Sequence, residues 1–130
     1  MGSVKRGKLV AKDHAQHLRH VINVDIPKIL DRIAQEKLML EQGQPKTSKI
    51  KPLALSLQKE ALHLQEFLTA GKAHYEALLK VNVRLEKSGY DRLPLCWFDA
   101  DAEKVLKDLI HDSSSLSLRT LTKIKPKKSH

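Results

Sequence analysis

One apolar seam decides most of what this chain can fold into. Leu57, Ala61, Leu64, Leu68, Gly71, Tyr75, Leu78, Asn82 and Leu85 follow one another at alternating spacings of four and three. That is one stripe of a helix on a seven-residue repeat, the pattern by which helices lie along each other. A helix over 50–87, rising ~1.5 Å per residue, is roughly 50 Å long and needs a partner of similar length. The sequence supplies one: Leu18, Ile22, Ile26, Ile29, Ile33 and Leu40 return at spacings of three, four or seven, which predicts a first helix over about 11–42. The link Gln44-Pro-Lys-Thr-Ser-Lys is short and polar, so the two helices are expected to turn back as an antiparallel hairpin.

Glycine and proline punctuate this plan. Pro27 falls inside the first pattern, where it removes one backbone bond and crowds the turn before it. The stripe keeps its phase across Pro27, which favours a kinked helix over two helices with Asp25 as a cap. Gly43 is a natural stop for the first helix, Pro52 suits the first turn of the second, and Gly89 ends it. Pro94 opposes continuation. Asp99 is placed to cap a third, shorter helix over 100–112, whose apolar face is Ala102, Val105, Leu106, Leu109 and Ile110. Leu116, Leu118, Leu121 and Ile124 are too apolar for a bare linker; they extend that helix, form a strap, or order on a partner. The fold class is therefore all-α: a coiled-coil-like hairpin with a shorter third helix, as a small helical bundle.

Two seam positions break the rule. Gly71 leaves a gap for a close neighbour or a large side chain. Asn82 either buries an amide that fixes register or sits at the edge facing water. The hairpin covers only one side of each seam, and Leu55 and Leu62 lie off the main stripe. A third helix, a second copy of the chain or another protein is expected to supply the missing cover, so homo-oligomerisation and protein partners on the helical surfaces follow.

Charge is distributed unevenly. The formal net charge is +9. Residues 1–12 carry Lys5, Arg6, Lys8 and Lys12 without an acid, residues 113–130 carry Arg119, Lys123, Lys125, Lys127 and Lys128 without an acid, and the stretch between is balanced. This reads as a neutral helical body over 13–112 with a basic arm at 1–12 and a basic tail at 113–130, suited to an anionic partner such as nucleic acid. The serines and threonines at 113–122 lie among these charges, where phosphorylation would lower the local charge. The arms hold no aromatic residue, which disfavours base stacking. The single cysteine, Cys96, excludes an internal disulfide framework, and no apolar run reaches the ~18 residues of a membrane span. An intracellular protein, cytoplasmic or nuclear, is expected.

Catalytic signatures are missing. There is no phosphate-binding glycine loop, no His-Glu-x-x-His and no Gly-x-Ser-x-Gly, and no cofactor is implied. His14, His17 and His20 are spaced as helix neighbours able to share a metal, but Arg19 between the last two opposes a bound cation, and a solvated polar face is the favoured reading. Opposite charges four apart, Arg32 with Glu36, Lys72 with Glu76, Glu76 with Lys80 and Glu103 with Lys107, predict ion pairs along helices. Cys96 is expected to be at least partly buried and inert. Tyr90, Trp97 and Phe98 cluster between the second and third helices. They serve either as a plug at the open end of the hairpin, the favoured reading, or as a binding hot spot. The resulting expectation is a non-enzymatic interaction or scaffold protein, with Leu57, Leu64, Leu68, Tyr75, Leu78, Tyr90, Trp97 and Phe98 as protein-contact residues and the basic arms as anion contacts. The alternative is a nucleic-acid or ribonucleoprotein binder.

Overall fold

The computed structural model describes residues 2–42 and 47–124. Its elements are α1 (Gly2–His20), a π turn (Val21–Asp25), α2 (Ile26–Glu41), α3 (Thr47–Lys87) and α4 (Ala100–Ile124). No strand occurs among the described residues, so the all-α bundle expected from the seam is the fold.

α1, the π turn and α2 form one continuous rod. His20, Asp25 and Ile26 all keep right-handed helical backbone angles, and the Ile26 N–H reaches back five residues to the Val21 carbonyl. The cause is Pro27, whose ring crowds the carbonyl four residues earlier; a wider turn relieves this without breaking the rod. The turn also shifts the buried face. Leu18, Val21, Ile26, Ile29 and Ile33 are buried, with a step of five across the wide turn. Val21 thus takes the core position expected of Ile22, which is only partly buried.

α3 is the spine. The rod runs antiparallel to it, as the His14–His74 and Arg32–Glu60 contacts fix. α4 also runs antiparallel to α3, with Glu103 beside Lys72 and His111 near Gln65. The bundle therefore has two unlike halves. In one, α2, the first half of α3 and α4 form three layers around Ile26, Ile29, Ile33, Leu57, Leu64, Leu68 and Leu106. In the other, α1 and the second half of α3 form a hairpin around Ala11, Ala15, Leu18, Leu78 and Leu85, with Leu93 of the following loop.

Three boundaries differ from expectation. α1 starts at Gly2 rather than near residue 11, and Ala11 is already a core residue. Pro52 lies inside α3 rather than in its first turn; both it and Ser48, whose carbonyl has no amide partner at position 52, are exposed residues. α4 continues through residues 113–124, where a tail was expected. Ser113 and Ser117 are completely buried, small enough to let α4 lie close on its neighbours, and the Thr120 and Thr122 hydroxyls return to carbonyls four residues back. Lys125, Lys127 and Lys128, and the expected stop at Gly43, lie outside the described residues.

Candidate functional site

The loop 88–99 turns a chain end into a structural cover. α3 closes with the Tyr90 N–H on the Leu85 carbonyl at 2.8 Å and the Gly89 N–H on the Glu86 carbonyl at 3.1 Å. This pair of bonds needs a left-handed residue, and Gly89 supplies it at φ +80°. The chain then runs back along α3. Asn82, 3% exposed, holds it at two points: its amide donates to the Leu93 carbonyl at 3.1 Å, and the Leu93 N–H donates to its Oδ1 at 2.7 Å. Asn82 is therefore a buried clamp for the loop. Pairing both backbone groups of Leu93 removes the cost of burying them.

Trp97 follows, and its indole lies over Gly71. A Cβ placed on Gly71 would sit 2.5 Å from Trp97 Cη2 and 2.7 Å from Cζ3, so the gap in the seam is the seat of the ring. Tyr75 stacks on Trp97 at 6.3 Å between centroids, and Phe98 meets it edge-on at 5.2 Å. The indole N–H donates to Glu103 Oε1 at 3.0 Å, while Lys72 Nζ lies 3.2 Å from Glu103 Oε2. Those two hydrogen bonds, with the indole first, hold the Glu103 carboxyl below the ordinary carboxylate range. Asp99 caps α4 by accepting from the Ala102 N–H at 2.8 Å. Trp97 packs against both core clusters, so it joins the two halves of the bundle.

These contacts place the residues expected to bind protein partners. Leu57, Leu64, Leu68 and Leu78 are buried within the chain itself, and Tyr75, Trp97 and Phe98 are partly buried against it. Tyr90 is exposed. Cys96 is exposed, not buried as expected, because its neighbours Leu95 and Trp97 take the inward positions. The apolar side chains left at the surface are others: Leu38 and Met39 at the end of α2, Leu55, Leu62, Leu79 and Val83 along α3, and Leu118 and Val105 on α4, the last of which was expected on the buried face of that helix. Leu38 also borders a groove of ≈ 300 Å³ whose walls include Leu30 and Ile33 of α2 and Leu109 of α4.

The basic residues redistribute on the fold. α1, with the second half of α3 and the start of the loop (residues 2–20 and 72–92), carries ten lysines and arginines against the four acids Asp13, Glu76, Glu86 and Asp91. The rest of the described bundle (residues 21–42, 47–71 and 93–124) carries ten lysines and arginines against eleven acids. Lys12, Lys80, Arg84 and Lys87 are exposed on the hairpin half. Lys5, Arg6 and Lys8 belong to the first turns of α1, their side chains outside the described set. Arg119 and Lys123 are exposed on α4 at the opposite end of the molecule, where Arg119 bonds the Ser115 carbonyl. Sequence reasoning missed Lys80, Arg84, Lys87 and Arg92, because the acids of the other half balance them along the chain but not in space.

The ion pairs also differ from expectation. Arg32 reaches Glu60 at 3.8 Å and Lys72 reaches Glu103 at 3.2 Å, both between helices, and Arg92 pairs with Glu86 at 3.2 Å. Arg32 and Lys72 take an acid on a neighbouring helix in place of the one four residues along their own, and Lys107 still acts on Glu103 through its charge. Among the described residues no three His, Cys, Asp or Glu side chains converge as a metal cage as they stand. No helix there is long and apolar enough to cross a membrane. No protein-family model, curated protein or solved structure matches the chain.

Proposed function

We propose that this protein is a non-catalytic helical interaction module of an intracellular assembly, and that its hairpin half docks on a polyanionic partner. The observation that carries this reading is the segregation of charge among the described residues: ten bases against four acids on one half, ten against eleven on the other. A protein that needed positive charge only for solubility gains nothing from collecting it at one end, whereas a docking surface does. The exposed Leu38, Met39, Leu55, Leu62, Val105 and Leu118 lie on the balanced half, against Leu79 and Val83 on the hairpin half, and this weighting supports protein contact on the balanced half. In this reading the polyanion docks on the hairpin half and a protein partner on the other.

The test is the salt dependence of binding to heparin and to duplex and single-stranded RNA. Removing Lys80, Arg84 and Lys87, which lie along one stretch of α3, should weaken binding and flatten the plot of log affinity against log salt by roughly one unit for each phosphate no longer neutralised. Removing Lys28, Lys59 and Lys104 from the balanced half should change little. Equal losses from the two triple variants, or no binding at low salt, would refute the reading. Binding to RNA well above heparin would identify the polyanion as nucleic acid.

A further inference from the structure

We infer that the hairpin half contains a binding site for a borderline divalent transition-metal cation of the zinc, nickel or copper(II) class, built across two helices by His14 and His74 with His17 as the third ligand. In the structure His14 Nδ1 and His74 Nε2 lie 3.1 Å apart. Two imidazole nitrogens on a tetrahedral zinc, each ~2.0–2.1 Å from the ion, are about 3.3 Å apart. In the metal-free chain this contact is a hydrogen bond, one ring's N–H on the other's bare nitrogen; a bound ion replaces the shared proton, and the two nitrogens, on rings 4.8 Å apart and nearly perpendicular, need only part slightly and turn to take two corners of a tetrahedron. His17 follows His14 by three residues and so stands one helical turn further along the same side of α1. Its ring lies 6.5 Å from that of His74. That is too far to ligate as it stands, and its coordination requires the side chain to rotate toward the adjoining notch of ≈ 190 Å³, which His17 and His74 line together with Leu18, Phe67 and Ala70.

The sequence objection, a cation beside the histidines, does not survive the fold. Arg19 extends toward the Pro94 carbonyl at 3.5 Å, and Lys72 is engaged by Glu103 at 3.2 Å. His20, the third member of the sequence triplet, is drawn away to Asp25 at 3.6 Å. The ligand set is thus His14, His17 and His74, not His14, His17 and His20. Imidazole nitrogen selects borderline metals over magnesium or calcium, which take oxygen ligands. A bound ion ties α1 to α3 at the hairpin half, the half that lacks a third helix.

The experiment is calorimetric titration of the untagged full-length chain with Zn²⁺, alongside thermal unfolding with and without Zn²⁺ and after EDTA. One equivalent is expected to bind and to raise the melting temperature reversibly. His14→Ala and His74→Ala should each lower the affinity by about tenfold or more, as losing even an outer partner of a metal ligand does. His17→Ala should also weaken binding, and His20→Ala should leave it unchanged. All four positions border solvent, and circular dichroism of the metal-free variants verifies that each is folded. Absence of saturable binding overturns the inference. So does binding that survives His74→Ala but falls with His20→Ala, which would return the site to a single helix.

Discussion

The two halves of the bundle use the same seam of α3 in different ways. From Leu57 to Leu68 the seam is buried by whole helices, α2 on one side and α4 on another, and the packing repeats with the helical period. From Tyr75 to Leu85 it has one helix, α1, and a loop in place of the second. A helix covers a seam with many equivalent side chains, so the removal of one is spread over the rest. A loop has no period, so the cover depends on the few places where it is fastened: Asn82 to Leu93, and Trp97 to Gly71. The same polar chemistry therefore has opposite meaning in the two halves. Asn82 is buried and doubly bonded, whereas Ser113 Oγ in the three-helix half is buried with no protein partner.

Substitutions sharpen or break this contrast. Trp97→Ala should have the largest effect, a loss of about 3 kcal/mol in urea unfolding followed by circular dichroism, because it empties the joint shared by both clusters. A loss below about 1 kcal/mol would show that the ring is not the joint. Asn82→Ala should cost about 2 kcal/mol, since the amide and carbonyl of Leu93 lose their partners while still buried. Gly71→Ala tests the seat of the indole through its sign. Alanine in an exposed helix site gains about 1 kcal/mol over glycine, yet here the new methyl displaces Trp97, and overpacking of ~1–3 kcal/mol should outweigh that gain. Paired with Trp97→Ala, the same substitution should become stabilising.

The smallest changes lie in the other half and at the joint's charge. Ser113→Ala removes a buried hydroxyl without a partner and adds helix propensity, so a gain of about 0.5–1 kcal/mol is expected; a loss would mean that the hydroxyl is satisfied. Glu103 titrates below the ordinary carboxylate value when folded. The unfolded chain therefore binds its proton first, and the contribution of Glu103 to stability is complete above the unfolded value and disappears as pH falls through the folded one. Stability of the wild type should drop more steeply than that of Glu103→Gln below about pH 4.5, the unperturbed value for Glu103. Parallel acid profiles would contradict the assignment.

How much of this was legible in sequence follows from the same contrast. The α3 stripe, the antiparallel return and the cap at Asp99 each depend on local spacing, and the chain states them directly. Val21 replaced Ile22 in the core because the wide turn before Pro27 adds one residue, a backbone adjustment that side-chain periodicity does not encode. The extension of α4 through Ser113, Ser114 and Ser115 ran against weak helix propensity and was decided by burial, which overrides it. Asn82 and Gly71 were visible as exceptions in the seam, but Leu93 and Trp97 lie in a stretch without period, and only the returning loop reveals the pairing. The His14–His74 contact and the charge of the hairpin half needed the register between α1 and α3, because residues sixty apart carry no mutual signal along the chain.

The most direct test is residue-resolved hydrogen exchange on the wild type and on Asn82→Ala. If the loop is the hairpin half's missing layer, releasing it should speed exchange in α3 over 78–87 and in α1 over 11–20, while 54–68 keep their protection. Uniform acceleration along α3, or loss of protection concentrated in 54–68, would contradict a bundle whose two halves are held by different means.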